Sequence, residues 1–565
     1  MAPTQTLQGI TAQLRNETSA TPNNIYKAIW QNKKLLLISA FASFGGLLYG
    51  YQQGVLGQAA VMHSFIEQFP DVANDSTKLG WLTSILQLGG WAGALSSGVF
   101  AQVFSRKYTM FWGALWVILG SYLAAGASTP GFLYSGRFFT GIGVGTLSAV
   151  GPLYNAELAP PELRGFIISM QHLNTNIGLM CAYWISFGSN NIGGTGEGQS
   201  SWAWRTPMFI QGLPAICLAL GVWFMPFSPR YLVSKGRDAE SRKAISYLRN
   251  LPEDHPLVRA EFLEIKADAE FEDRIYEKRF PDMKKDSEWG REIVQYASLF
   301  RSRDAFKRVT LAGMVMFFQQ WTGIDSILYY ASTIFQSLGL TSSSSSLLAT
   351  GVIGVLNCIT TVPAILYIDK LGRKPMMITG SIGMTVCQVI VGVIIATCGQ
   401  DWLAHKAAGW AAVVFVWIYV VNYAASWGPG SWILIAEIFP LSIRAKGSSI
   451  GVSSNWMNNF IIALIAPRML DSIGWGMYIF FACWAALGGA FIYFCMPETK
   501  GKTLEEMDQV FGSNTSAEDT DMMIRAQEDV GLFDFVAELN GTATPRKEDV
   551  ADDKGGPVYS EHVSV

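Results

Sequence analysis

Five amide side chains, Gln319, Gln320, Asn357, Asn455 and Asn459, and the indole of Trp432 sit in stretches that otherwise hold few polar groups. An amide donates and accepts hydrogen bonds at once, and an indole offers one donor and a flat apolar face. That combination suits a neutral polyhydroxylated solute, whose hydroxyls need both kinds of partner and whose C–H face needs an aromatic surface. Amides also join helices inside membranes, so the argument rests on the set across four separate stretches. Gln52, Arg137, Gln171, His172 and Asp325 add further polar groups at similar depth. An ionised side chain at mid-membrane costs about 2.5–3.5 kcal/mol even on insertion scales. Arg137 and Asp325 must therefore be paired, neutral or turned toward a wet cavity. The chemistry of an enzyme is not on offer. Only five histidines occur, none in HExxH spacing or a Ser/His/Asp grouping, and there is no Walker A sequence. The glycines of GIGVG, 141–145, lie inside an apolar run rather than after a strand, so they form no dinucleotide loop. All seven cysteines lie in apolar stretches without CxxC spacing, as small hydrophobes. No cofactor and no metal are implied.

These groups are held by membrane helices. Half of the 565 residues are hydrophobic and 15% are charged, against roughly 25% charged in soluble domains. The charges crowd into short connectors. Runs of about 20 apolar residues place spans at 35–57, 79–101, 108–128, 131–155, 165–187 and 207–226, then 309–338, 345–368, 374–398, 409–437, 447–471 and 475–496. The expected fold class is all-α, with twelve transmembrane helices in two six-helix bundles. The expected segments are an N-terminal stretch 1–34, a bundle 35–226, a central loop 227–308 with helices of its own, a bundle 309–496, and a tail 497–565, disordered after 511. The net charge of −3 excludes a basic field for nucleic acid; the partners implied are the bilayer and a small solute, with the chain acting as a monomer. Residues 1–34 hold no cleavable signal pattern.

Lys27, Lys33, Lys34, Arg106, Lys107, Arg164, Lys370, Arg373, Lys374, Arg444 and Lys446 all fall in alternate connectors. The positive-inside rule then puts both termini and the central loop in the cytoplasm. The sequon at Asn74 falls outside and is a candidate for glycosylation, whereas those at Asn16, Asn514 and Asn540 fall inside.

The two halves repeat. AELAPPELRG places Glu157 and Arg164 seven residues apart, and AEIFPLSIRAKG places Glu437 and Arg444 at the same spacing. A basic pair precedes each, Arg106-Lys107 and Arg373-Lys374. Parallel six-helix repeats imply a site between the halves at mid-membrane. Glu157 with Arg106, and Glu437 with Arg373, are expected to pair across the repeat interface and latch the cytoplasmic side, with Arg164, Asp369 and Arg444 in the same gate.

Further motifs lie in order along the chain: GRFFTGIGVG from Gly136, PLYNAELAPPELRG, PFSPRYLVSKGR, FFQQWTGID, DKLGRKP from Asp369 to Pro375, and PETKGKTLEEMD from Pro497 to Asp508. Across roughly 35–511 this series resembles the sugar porter family of the major facilitator superfamily, and most closely its fungal hexose and monosaccharide transporters. The resemblance implies alternating-access transport of a monosaccharide across the plasma membrane. It also implies that Gln171, His172, Gln319, Gln320, Asp325, Asn357, Trp432, Asn455 and Asn459 contact the sugar. The chain departs from the family pattern at several places. Gln52 stands where symporting relatives carry the proton-binding Asp, His172 where Gln is usual, Asp325 where Asn is usual, and Phe227 where Glu is usual. In the first-half loop, Gln102 and Ser105 replace an acidic or Asn residue and a Gly. Without a titratable group at 52, Arg137 keeps only an amide partner and facilitated diffusion is favoured. The alternatives are proton symport with Asp325 as the carboxylate, a sugar sensor on the same fold, and transport of a disaccharide, polyol or sugar acid.

Overall fold

Inside lipid every backbone N–H and C=O must find a partner within its own segment or a closed sheet. Among the described residues the chain solves this with helices, and no strand occurs. The computed structural model describes residues 33–279, 296–297, 299–300, 302–340, 342–440, 443–499, 511 and 515–539. The side chains of 161–166, 168–169, 365–370, 436, 445 and 515–517 fall outside that description.

Twelve spans follow in order. Span one is Lys33–Ala42 and Phe44–Ala59, span two Ser76–Val103, span three Arg106–Ala125, span four Pro130–Leu158, span five Pro161–Ser189, and span six Trp202–Ile210 and Gly212–Gly221. Span seven is Arg303–Trp321 and Ile324–Ser337, span eight Ser343–Leu371, span nine Arg373–Cys398, span ten Lys406–Ala425 and Trp427–Glu437, span eleven Arg444–Ile473, and span twelve Gly476–Cys495. Seven of these are apolar enough by composition alone to cross a bilayer. The other five, spans two, four, five, seven and eleven, carry Gln87, Arg137, Gln171, Gln319 and Asn455. Their polarity marks the faces turned away from lipid.

Small residues let the spans approach closely. A Cβ at Gly50 would meet the Thr175 carbonyl, packing span one on span five. The halves meet along two seams. Trp91 Nε1 donates to Ser453 Oγ at 2.7 Å between spans two and eleven. Asn176 Nδ2 donates to Thr361 Oγ1 at 2.8 Å between spans five and eight. Each such bond contributes about 0.6 kcal/mol on average in a membrane bundle. At the face opposite the termini, span one also closes on span seven. Ser332 Oγ donates to Gln58 Oε1 at 2.7 Å, and a Cβ at Gly57 would strike the Tyr329 carbonyl.

Between the halves stand helices α1 (Pro229–Ser234), α2 (Asp238–Arg249) and α3 (Pro256–Arg279). Pro229 opens α1 under a Ser228 cap, a residue pair suited to a first turn. Helix α2 has Asp238 and Glu240 in its first turn, Arg249 in its last, and Asn250 in the left-handed region behind it. That arrangement complements the helix dipole and stops the helix.

The tail departs from expectation. Thr515–Asp529 (α4) and Leu532–Leu539 (α5) are helical, where the acidic composition suggests disorder. Leu532, Phe535 and Val536 recur at helical spacing and are buried, which gives the segment an apolar face that its net charge hides. Residues 540–565 and the sequons at Asn16, Asn514 and Asn540 lie outside the described residues. Asn74 is exposed just ahead of span two.

Candidate functional site

Span seven is broken at its centre, and the break organises the polar groups. Gly323 sits at φ +87°, which an L side chain rarely adopts, and a Cβ there would lie 2.6 Å from the Phe481 ring. The broken helix frees the Thr322 carbonyl, which accepts from Gln388 Nε2 at 2.8 Å and Tyr419 Oη at 2.9 Å. Span ten breaks at Ser426 (φ −132°, ψ −82°). That is just before Gly428-Pro429-Gly430, because the ring of Pro429 excludes a helical carbonyl one turn earlier.

Gln319 spans these two breaks. Its Nε2 donates to the Trp427 carbonyl at 3.0 Å, and its Oε1 accepts from Asn455 Nδ2 at 2.7 Å. Asn459 lies one turn beyond Asn455. Its Nδ2 donates to Asp325 Oδ2 at 2.6 Å, and its Oδ1 accepts from Tyr329 Oη at 3.0 Å. Gln320, 4% exposed, precedes the break on the same span. Two hydrogen-bonded groups, Gln319 with Asn455 and the Trp427 carbonyl, and Asn459 with Asp325 and Tyr329, thus tie spans seven, ten and eleven together around the breaks. Asn357 on span eight is 5% exposed, and its side chain bonds no described residue. Gln171 Oε1 and Gln320 Oε1 are buried without a partner among the described residues.

Two expected members stand apart. Trp432 is 38% exposed and its indole makes no bond to a described residue. The buried indole is that of Trp427, whose Nε1 donates to Ser381 Oγ at 2.7 Å. His172 makes no hydrogen bond to a described residue. It lies instead by the break in span ten, where a Cβ at Gly428 would be 3.9 Å from His172 Nε2.

In the first bundle, Arg137 NH1 donates to Gln52 Oε1 at 3.0 Å, and Gln52 Nε2 donates to Gln211 Oε1 at 2.8 Å. Arg137 is 1% exposed, and among the described residues its Nε and NH2 have no partner and no carboxylate pairs with it. Tyr329 and Tyr330 of span seven lie within its electrostatic reach.

The charge pairs at the terminal face form differently from the expected latch. Arg106 NH2 lies 2.8 Å from Glu157 Oε1, and Arg373 NH2 lies 2.8 Å from Glu437 Oε1. Each pair lies inside one bundle and neither bridges the two. The connector between spans two and three is simply next to the end of span four in the same bundle, and the second half repeats this. Thr499 Oγ1 donates to Glu437 Oε2 at 2.6 Å, and the Glu498 carboxylate caps the backbone N–H groups of Arg373 and Lys374 at 3.1 Å. Arg444 Nε donates to the Phe439 carbonyl at 3.3 Å. The side chains of Arg164 and Asp369 lie outside the described residues.

The departures in the first-half loop have physical consequences. Ser105 stands at φ 89°, ψ 154°, and the repeat-related Gly372 at φ 93°, ψ 149°. That region is open to glycine and costs other residues about 1–3 kcal/mol. Ser105→Gly is therefore expected to raise the melting temperature of the purified protein; an unchanged or lower value would mean that the Ser105 cap on Tyr108 N outweighs the strain. Phe227, at the end of span six, meets two cations with its ring. Lys107 Nζ lies 5.1 Å and Arg237 Cζ 5.6 Å from its ring centroid.

Sequence reading missed Tyr329, Gln211 and Trp427. Tyr329 was open to discovery, since it follows Asp325 by four residues and so shares its helix face.

Comparison with known proteins agrees with this architecture. Residues 38–511 match the family model described as "Sugar (and other) transporter". The chain is 31% identical over 506 residues to a probable quinate permease of Aspergillus flavus, covering 88% of this chain and 90% of that one. It is 34% identical to the major facilitator-type transporter ecdD of Aspergillus rugulosus, covering 86% and 88%. Among solved structures, the proton:xylose symporter XylE bound to 6-bromo-6-deoxy-D-glucose superposes with a TM-score of 0.66 at 27% identity, covering 85% of this chain and 100% of that one. A partially occluded inward-open form of XylE from E. coli also gives 0.66, at 25% identity. The chain belongs to the sugar transporter family of the major facilitator superfamily, as a multi-pass membrane carrier and not an enzyme.

Proposed function

We propose that the protein carries a neutral polyhydroxylated solute of monosaccharide size, by alternating access and facilitated diffusion. The observation behind this reading is the set of amides, Gln319, Asn455 and Asn459, held around the two helix breaks. Asn357, Gln171, Gln320 and His172 extend it with groups able to meet a solute. A polyol satisfies such amides in both directions. Gln52 cannot titrate, so the Arg137 centre cannot exchange a proton through its partner. The chain then acts as a monomer in the plasma membrane with both termini in the cytoplasm, in keeping with its loop cations. The charge pairs Arg106–Glu157 and Arg373–Glu437 keep the cytoplasmic ends of each bundle rigid while the bundles rock.

A second reading is favoured by the similarity to proteins named as probable quinate permeases. On it the solute is a cyclic polyol bearing a carboxylate, and a proton travels with it by way of Asp325. Uptake of labelled hexoses, pentoses, polyols and quinate in a yeast strain lacking hexose transporters separates the two. The expected result is uptake of a neutral solute to the medium level, unaffected by a protonophore. Accumulation of quinate above the medium, abolished by the protonophore, would replace the first reading with the second.

A further inference from the structure

The first bundle buries a chain of hydrogen bonds that ends in donors at both ends. A guanidinium only donates. The Gln52 amide must therefore turn its oxygen toward Arg137 NH1, at 3.0 Å. That directs Gln52 Nε2 at Gln211, whose Oε1 accepts at 2.8 Å. Gln211 is left with its own donor, Nε2, which has no partner among the described residues. Reversing either amide would set donor against donor. At the other end, NH1 also reaches the Gln52 carbonyl at 3.5 Å, while Nε and NH2 of Arg137 have no described partner. Gln52, Arg137 and Gln211 are all buried, at 0%, 1% and 1% exposure. Unpaired buried donors are rare and costly, and a charged one most of all. The Nε and NH2 groups share one edge of the planar guanidinium. That edge is a fork of parallel N–H groups, the arrangement that grips an anion.

The position of the three residues decides when the edge can be reached. Each lies roughly two turns inside the face opposite the termini, on spans one, four and six. At that face a Cβ on Gly57 would strike the Tyr329 carbonyl, and Gln58 accepts from Ser332. Tyr329 and Tyr330 of the same segment lie within electrostatic reach of Arg137. With span seven in this place the unpaired nitrogens are enclosed. When its second segment moves off span one, the edge turns to the medium on that side.

We propose that Arg137, with Gln52 and Gln211, is a site for one monovalent anion, a halide or a carboxylate, filled from the face opposite the termini when spans one and seven part there. The anion supplies a negative charge that no described side chain supplies. Held in that conformation alone, it draws the carrier toward it as the site fills. The amides around the breaks in spans seven and ten are not involved, and no transported solute is required.

Binding of radiolabelled chloride to the purified full-length protein, without solute, tests the site. The parent chain is expected to bind chloride saturably. It should also melt at least about 2 °C higher in chloride than in methanesulfonate, a bulkier and weaker acceptor, at equal ionic strength. Amides of 324–337 should exchange about threefold faster in chloride, because the opened form is favoured. Gln52→Glu places a carboxylate where it can pair with Arg137 and accept from Gln211 Nε2. Chloride affinity is expected to fall at least about tenfold in this variant, and the melting shift to disappear. Gln52→Asp offers the same charge on a shorter stem if the first variant does not fold. If chloride fails but formate gives the melting shift, and the acid variants lose it, the site stands with a carboxylate as its anion. Chloride binding that persists in both acid variants reports an adventitious ion only and overturns the site, as does the absence of a shift with either anion. Binding without faster exchange in 324–337 overturns entry from that face.

Discussion

Replacing Gly57 by leucine is expected to slow transport by roughly 5- to 150-fold, with the protein still delivered to the membrane. Gly57 sits where span one meets the second segment of span seven, and even a Cβ there would collide with the Tyr329 carbonyl. A backbone atom cannot rotate away as a side chain can, so the helices must part. That contact closes the face opposite the termini, together with the Ser332–Gln58 bond. A carrier must pass through a state sealed on that face in every cycle. Overpacking raises such a state by about 1–3 kcal/mol, and the rate falls by the corresponding factor. The damage is confined to one conformation, because the helices can still form when the face is open. Gly98→Leu serves as the control. It also places leucine in a span of the first bundle, but at a position with no atom within 4 Å of the added Cβ. Uptake by Gly57→Leu within twofold of the parent, at equal surface expression, would show that the span one–span seven contact is no gate. Gly57→Ala should give an intermediate rate.

That contact was not legible in the sequence, although much around it was. The twelve spans and the repeat follow from apolar runs and from two matched charge motifs, because a bilayer leaves the chain few alternatives. The break in span seven could be expected from Gly323, and the amides on spans seven and eleven could be placed together by their cost in lipid. Pairing was harder. Arg106–Glu157 and Arg373–Glu437 were visible as partners, but the spacing alone did not say that each stays within its own bundle; only packing of neighbouring connectors decides that. Trp432 and Trp427 illustrate the same limit. Both are indoles in span ten, and the side chain that ends up fully buried is the one next to the break, whose position depends on Pro429. Ser105 was visible as a departure, yet its backbone conformation follows from the turn it must make between spans two and three. The tail helices were hidden because their apolar face is short and lies within an acidic stretch. Its partner, α3, is 240 residues away in sequence at the Lys278–Glu518 pair.

Asn357→Ala and Gln319→Ala are expected to weaken apparent affinity for the transported solute by about tenfold each, from losing about 1–1.5 kcal/mol of net hydrogen bonding. They should differ in what else they do. The Asn357 side chain bonds no described residue, so its removal leaves no protein group stranded. Its variant should raise KM at unchanged melting temperature. Gln319 holds both the Trp427 carbonyl and the Asn455 amide. Alanine there takes a partner from the Trp427 carbonyl and leaves the buried Asn455 Nδ2 only the Met316 sulfur at 3.6 Å, a loss of about 1–3 kcal/mol for a buried polar group deprived of its partner. The Gln319 variant should therefore lose thermal stability as well as affinity, and some maximal rate, because the breaks in spans seven and ten are no longer tied together. Uptake kinetics and a melting curve of each purified variant check both claims. If Asn357→Ala leaves KM unchanged at normal surface expression, span eight does not face the solute. If Gln319→Ala raises KM with no loss of stability, its bonds to Trp427 and Asn455 are replaced by others in the working protein, and the amide network is not the frame of the site.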